Sequence, residues 1–497
     1  MRLLLLLGLL AVSTVTAQPV PIGAEFRVNT YTTSNQHYPS VAMNRDGGFV
    51  ATWASFFQDG GSVGVYAQMY GPDGTPVNGE FRVNTETRSI QNVPEVSMDA
   101  DGDFVVVWES NLQDGSMFGI YGQRYSAAGT LLGDEFRVNT VTTDNQRDPS
   151  VSMNPGGGFV VVWKGGGQDE ENWGIYGQRY DSSGSPQGSE FHVNTYIQNT
   201  QDSPSVAMDT DGGFVVVWSG EGDGDTRGVF ARRFGASGDP TGPDFRVHQA
   251  SVWSQENPRV SIRPDGSYIV IWDDDEQWNY NIYARLFDVD GSARGTEFRV
   301  NSRASGLQIL GSVAGTESGY VVAWHGTGTV QQDPDIGIFA QALDALGAPR
   351  GGEFHVNTYT AGYQTYAYLS ASPDGGFVVA WASEVQDGSQ TGIFAQRYRA
   401  VTVGNEPGAP SGLSVAVTPN PAGAGGASIR LHFPIAGHVR VSVLDVLGRE
   451  VAVLLDGETV AGDRSVSLNT SGWSAGVYVV RAEASGRVST SRLVVAR

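Results

Sequence analysis

The 497-residue chain has no cysteine, a single lysine (Lys164) and seven histidines. Without thiols there is no disulfide, no thiolate metal site, no thiol nucleophile and no lipid-bearing cysteine, so packing and hydrogen bonds must hold the fold. Positive charge is scarce, with 31 Lys and Arg against 53 Asp and Glu and a formal net charge of −22. A surface of that sign excludes nucleic acid, whose phosphates demand basic patches. Apolar runs long enough for a membrane span are missing, and after residue 20 so are the apolar stripes of long amphipathic helices. Catalytic signatures are missing too. No His-Glu-x-x-His, Gly-x-Ser-x-Gly or phosphate loop occurs, and the histidines are scattered.

What is present is glycine (66 residues), 10% aromatics and only 17% charged residues, the composition of a turn-rich all-β chain. At the start, Met1-Arg2 and the Leu-rich residues 3–12 precede Val15-Thr16-Ala17, small residues at cleavage-site spacing. Residues 1–17 therefore read as a signal peptide, with mature protein beginning near Gln18.

A repeat dominates the rest. Glu25-Phe26-Arg27-Val28-Asn29 returns with small changes at 80–84, 135–139, 190–194, 244–248, 297–301 and 353–357, seven copies spaced by 53 to 56 residues. Each unit holds four strand-like segments. In the second, residues 94–98 alternate, 104–108 form an apolar β-branched run suited to burial on both faces, and 119–125 and 135–139 alternate again. Four antiparallel strands per unit, repeated seven times, predict a seven-bladed β-propeller over residues 25–400. The chain opens on the motif strand and its last repeat lacks one, so residues 25–29 are expected to complete the seventh blade and close the ring.

Two residues recur in every unit: Trp53, Trp108, Trp163, Trp218, Trp272, Trp324 and Trp381 at the end of the second strand, and Gln36, Gln91, Gln146, Gln201, Gln255, Gln308 and Gln364 before the first. Either set could form a ligand-binding ring. Recurrence in every blade favours scaffold instead, the Trp filling wedges between blades and the Gln tying loops to backbone.

Recognition is expected in loops of one face, those between second and third strands and those entering the first. They supply carboxylates suited to calcium, Asp223, Asp225, Asp273 and Asp275 among them, and aromatics outside the repeating position: Trp173, Trp253, Trp278 and Tyr280. No cofactor is required; calcium is the cation such loops would take. Solvated turns and loop packing are the simpler readings of both sets. The repeat lacks the Asp-box spacing of sialidases and the Gly-His and Trp-Asp signatures of WD repeats, and it resembles unassigned propeller repeats of large exported bacterial proteins.

After Tyr398 the repeat stops, and residues 401–412 read as a Gly/Pro-containing linker. From Leu413 onward eight arginines meet six acidic residues, so the acidic excess lies entirely in the preceding chain. Six or seven short alternating runs there predict a small Ig-like β-sandwich. Pro419-Asn420-Pro421, then Asp445 with Gly448-Arg449, then Gly476 and Tyr478, follow in order toward the end. This set resembles the C-terminal sorting domain of type IX secretion cargo in Bacteroidota. The resemblance implies residues 413–497 as an export address, with Sec and the type IX machinery as partners and a surface or released destination. The expected function is an exported, non-catalytic module binding a glycan or protein. The alternatives are a carbohydrate-active hydrolase or lyase with carboxylates meeting near the channel, and a purely structural spacer.

Overall fold

The computed structural model describes residues 18–399, except 170–171, 223–224, 250–252, 277–278, 304 and 328–335, and residues 414–495, except 424–425, 434–436, 446–448, 460–461 and 485–486. The expected signal peptide and linker, Asp223, Trp278 and Gly448 lie outside the described residues. Two compact units divide the chain, Met1–Val401 and Thr402–Arg497. Among the described residues there is no helix, and hence none long and apolar enough to cross a membrane.

The first unit is all-β and propeller-like, built from seven four-stranded antiparallel sheets. The first sheet runs Gln36–Met43, Phe49–Phe56, Val63–Tyr70 and Pro76–Arg82. The other sheets begin at Gln91, Gln146, Gln201, Gln255, Gln308 and Gln364. The first strand of each sheet packs beside that of the next, and the seventh beside the first. The seventh sheet draws its fourth strand, Val20–Arg27, from the N-terminus, where it pairs with Thr391–Arg399. That strand starts before the repeated motif, because Val20–Ile22 pair with Arg397–Arg399 across an irregularity near Gly23 (φ 72°). Fourth strands are unequal. Phe136–Arg137, Phe191–His192 and Phe245–Arg246 are two-residue strands, whereas Pro76–Arg82, Ala293–Arg299 and Pro349–His355 run for seven.

Polar side chains explain the repeated motif. Its acidic residue accepts the N–H that follows the previous copy: Thr30 to Glu80 (2.5 Å), Thr85 to Glu135 (2.6 Å), Thr140 to Glu190 (2.7 Å), and so around to Thr358 and Glu25 (2.5 Å). Its Asn takes an N–H of the third strand within the same sheet, as Asn84 Oδ1 does from Val65 and Asn29 Oδ1 from Ile393. In the fifth copy His248 Nδ1 does this for Val229 at 3.1 Å. The recurring Trp are the largest fully buried side chains, and the recurring Gln are buried with their amides on nearby acceptors, such as Gln146 on the Thr143 carbonyl (2.9 Å) and Gln91 on the Ser110 hydroxyl (3.5 Å).

Serine is a further scaffold element. At every one of the seven junctions a first-strand Ser hydroxyl accepts an N–H of the neighbouring first strand. The pairs are Ser40–Val96, Ser97–Met153, Ser150–Val206, Ser205–Val260, Ser261–Gly315, Ser312–Leu369 and, closing the ring, Ser370–Met43, at 2.9–3.4 Å.

The second unit has seven strands in the order Glu450–Thr459, Gly437–Asp445, Gly476–Ala484, Arg487–Val495, Ser414–Gly423, Gly426–Phe433 and Gly462–Leu468. One bridge, Ala422 to Val495, joins the two halves. Ile429 and Leu431 from one half share a single core with Val441, Val443, Val480 and Leu493 from the other.

Candidate functional site

The innermost strands enclose a cavity of about 410 Å³ lined by residues from all seven sheets. Its wall is made by one backbone irregularity repeated in every first strand. Tyr38, Val93, Asp148, Ser203, Asn257, Leu310 and Tyr366 all sit at φ 50–56°, each inside a register shift of its strand. A left-handed backbone is costly for a β-branched or bulky residue. The bulge is thus imposed by the ring, and it puts a different side chain from every sheet against the cavity.

Two residues further along the strand, serines at 40, 150, 205 and 312 leave room on the axis, while Glu95, Arg259 and Tyr368 fill it. The Tyr368 hydroxyl donates to Glu95 Oε1 (2.5 Å), Ser40 Oγ donates to Glu95 Oε2 (3.1 Å), and Arg259 donates to the Tyr368 oxygen (3.3 Å). These three come from the second, fifth and seventh sheets. Burial pushes the Glu95 carboxyl up, opposed by Arg259, Tyr368 and Ser40. Burial also raises the Tyr368 hydroxyl, so it stays a neutral donor.

Around this core, carboxylates that follow the recurring Trp clasp the next sheet's bulge. Glu109 Oε1 accepts the Asp148 N–H (2.7 Å), and Asp273 accepts the Leu310 N–H (3.0 Å) together with Asn257 Nδ2 (2.9 Å). Burial, then the Asp148 charge, pushes Glu109 up. Burial pushes Asp273 up to about 7 and lowers His325 to about 4. The folded state keeps on Asp273 a proton that the unfolded chain releases near pH 4. Its contribution to stability is therefore greatest below that pH and is lost as pH rises to about 7. His325 acts oppositely, favouring the fold above pH 6.5 and losing that contribution as pH falls toward 4. Asp273→Asn is accordingly expected to gain about 1 kcal/mol or more on wild type between pH 5 and pH 8, measured by urea unfolding at both. An equal difference at the two pH values would contradict this.

The expected site residues are distributed as follows. Asp273 and Asp275 close the strand Tyr268–Asp275 and Asp225 opens Asp225–Phe234; these hairpins pair further than their turn-rich sequences suggest, so the aspartates are not in loops. Both oxygens of Asp273 are engaged, and Asp275 bonds the Tyr280 hydroxyl opposite it. Among the described residues no three His, Asp or Glu side chains converge as a metal site. Trp173 is half-buried, with the Lys164 ammonium 5.2 Å from its ring, and Lys164 also pairs with Asp148 (2.7 Å) at the cavity wall. Trp253 is 39% exposed. Of the four aromatics, Trp173 is thus linked through Lys164 to the axis. The bulge residues were missed by sequence reasoning, although one signal was there: the position before Pro39, Pro94, Pro149, Pro204 and Pro258 varies while its surroundings repeat.

In the second unit, Pro419, Asn420 and Pro421 lie on the strand Ser414–Gly423, within an irregular stretch of its pairing. Asp445 and Arg449 are joined by the Arg449 N–H to Asp445 Oδ1 (3.0 Å) and a 2.7 Å ion pair. Gly476 opens a strand, and the Tyr478 hydroxyl donates to the Ser474 carbonyl (3.0 Å) while its ring lies 4.9 Å from Trp473.

No curated protein matches the chain. Among solved structures, a polysaccharide lyase of the ulvan lyase PL25 type is 12% identical, with a TM-score of 0.49 over 77% of this chain and 96% of its own. The β-propeller domain of the Trilobed protease from Pyrococcus furiosus is 7% identical, with a TM-score of 0.43 over 75% of this chain and 100% of its own. PorZ of Porphyromonas gingivalis, a surface component of the type IX secretion system, is 14% identical, with a TM-score of 0.44 over 94% of this chain and 61% of its own. Residues 416–496 match the family model of the secretion system C-terminal sorting domain. This region is therefore a type IX secretion sorting domain, and the protein that carries it is a cargo of that route, sent to the cell surface or the extracellular space.

Proposed function

We propose that residues 25–400, joined by the 401–412 linker to a sorting domain with an Ig-like sandwich fold and preceded by a cleaved signal peptide, form a seven-bladed β-propeller that binds a glycan in its axial cavity. The observation that carries this reading is the ring of seven bulge residues. Its backbone is the same in every sheet, yet its seven side chains, Tyr38, Val93, Asp148, Ser203, Asn257, Leu310 and Tyr366, are of six kinds. Aromatic faces beside fixed amide, hydroxyl and carboxylate groups are suited to a sugar's apolar face and its hydroxyls. The Tyr38 and Tyr366 rings lie 4.9 Å apart. Trp173 and Tyr280, on their strands, and Trp253 would extend this surface, and Trp278 is proposed with them from its place in the sequence.

A glycan array and a pull-down with the secreted chain test the reading. Tyr366→Ala and Asn257→Ala are each expected to weaken the captured ligand at least tenfold. Capture of a protein with no glycan bound would replace the ligand class, and no ligand at all would favour a spacer. No cofactor is needed; calcium enters only if the hairpin aspartates Asp225, Asp273 and Asp275, with Asp223, take it, which calorimetric titration of calcium into the chain decides.

A second reading, hydrolysis or elimination on a polysaccharide, is favoured by one feature. Glu109 lines the same cavity with its carboxyl biased toward the protonated form, as a general acid requires. Turnover of a polysaccharide that Glu109→Gln abolishes, with binding retained, would establish it.

A further inference from the structure

In the first, second and seventh sheets the second and third strands are joined by the same kind of turn: Phe57-Gln58-Asp59-Gly60, Leu112-Gln113-Asp114-Gly115 and Val385-Gln386-Asp387-Gly388. Each turn folds back onto its own sheet. The Gln amide donates to the carboxylate of the repeated motif, Gln58 to Glu80 and Gln113 to Glu135 at 2.5 Å, and Gln386 to Glu25. One Asp oxygen caps the turn, as Asp59 Oδ1 does for the Gly61 N–H (2.9 Å). The other lies flat on the third strand, 2.6 Å from where a Cβ would stand on Gly64, Gly119 or Gly392. Asp59, Arg82, Glu80 and Tyr31 all act electrostatically on the Tyr66 hydroxyl.

The fourth sheet keeps the seat but not the turn. Its second and third strands stay paired out to Gly222 and Asp225, and the Gln-Asp-Gly sequence of the other three turns is absent between them. A cavity of about 430 Å³ opens there, walled by Trp218, Phe230 and Tyr196, with Asp244 and Arg246 beside it. In the repeat these residues stand where Trp53, Tyr66, Tyr31, Glu80 and Arg82 stand in the first sheet.

We infer that this lateral cavity is a second binding site, taking a Gln-Asp-Gly-type turn presented by a partner protein. The chain itself shows the fit, since three equivalent seats are filled by that turn. The amide's acceptor is also retained. Asp244 uses one oxygen for Thr195 Oγ (2.6 Å) and the other for the Thr195 N–H (2.9 Å), and a carboxylate oxygen accepts more than one bond. The volume falls in the range of ligand pockets, and the walls are mostly aromatic, as at peptide-binding anchors. The site stands apart from the axial cavity and does not depend on it.

The test is calorimetric titration of the full secreted chain with a cyclic peptide bearing Phe-Gln-Asp-Gly-Gly-Ser, the sequence of residues 57–62. Saturable binding is expected, at least tenfold weaker for a peptide with Glu in place of Gln, whose carboxylate would face Asp244. Gly222→Leu is expected to abolish binding by filling the seat. A Cβ there meets Phe230 at 3.4 Å and Tyr196 at 3.5 Å, ordinary contacts that leave the thermal midpoint unchanged. Should that variant fail to fold, Tyr196→Ala, at a 40% exposed position, is expected to weaken the peptide at least fivefold. Tyr366→Ala in the axial cavity should leave peptide affinity intact. No binding to wild type, binding undiminished by the available variants, or displacement of an oligosaccharide from this seat with no peptide affinity would each overturn the inference.

Discussion

A mature chain shortened to begin at Thr30 is expected to lose about 5 kcal/mol or more and to unfold without a single cooperative transition. The removed segment contributes the whole fourth strand of the last sheet, and with it three anchors. Val28 is 2% exposed; its burial is worth about 1.5–3 kcal/mol. Glu25 accepts from the Thr358 N–H (2.5 Å) and hydroxyl (2.9 Å) and from the Gln386 amide; charged acceptors contribute about 1.5–3 kcal/mol per bond. Asn29 takes the Ile393 N–H at 2.6 Å, a buried donor that would otherwise be orphaned. Against a typical total of about 5–15 kcal/mol this is a large fraction. The exposed edge of Thr391–Arg399 should also pair with other chains. Guanidinium unfolding and light scattering measure both effects. An unchanged midpoint would mean that the serine junction Ser370–Met43 closes the ring unaided.

The second large effect is expected at the recurring Trp. Trp163→Ala should cost about 3–5 kcal/mol, the range for emptying a buried aromatic site, since Trp163 is fully buried between the third and second sheets' apolar strands. Phe substitutions should then separate two kinds of Trp. The indole N–H donates to Gln201 Oε1 (3.0 Å) from Trp218 and to Gln308 Oε1 (2.7 Å) from Trp324, but among the described residues the N–H of Trp163 and of Trp381 meets no acceptor. Trp218→Phe therefore strands a buried acceptor, a penalty of about 1–3 kcal/mol that Trp163→Phe escapes. Equal costs for the two, by denaturant unfolding, would refute the distinction.

The two predictions differ in origin. Closure by the N-terminal strand followed from the phase of the repeat, because a chain that opens on one strand type and ends without it must complete the last sheet with the first segment. The unequal Trp did not follow from sequence, since the seven positions look alike and the difference lies in how each Gln side chain turns. The serine junctions were also visible only afterwards. Ser at 40, 97, 150 and 205 is unremarkable as composition, and its meaning depends on which strand is its neighbour. The Asp-rich segment that holds residues 273 and 275 reads in sequence as a loop, because such segments usually turn, yet pairing with residues 280–282 holds both aspartates in a strand.

The sequence by itself determined the repeat, the strand pattern within it, the scaffold role of Trp and Gln and the export address in residues 416–496. All of these rest on local pattern or recurrence, which a linear string preserves. The tertiary structure alone decided where side chains from different repeats meet. Glu95, Arg259 and Tyr368 are separated by 164 and 109 residues in sequence and join only because the ring brings three first strands to one axis. The bulge that points Tyr38, Asn257 and Tyr366 at the cavity likewise recurs in every first strand, a left-handed backbone that Asn257 and Asp148 tolerate but that Val93, Leu310 and the two tyrosines would not adopt by their own preference. The vacant seat in the fourth sheet exists only by contrast with its neighbours, once the fold has superimposed what the sequence merely repeats.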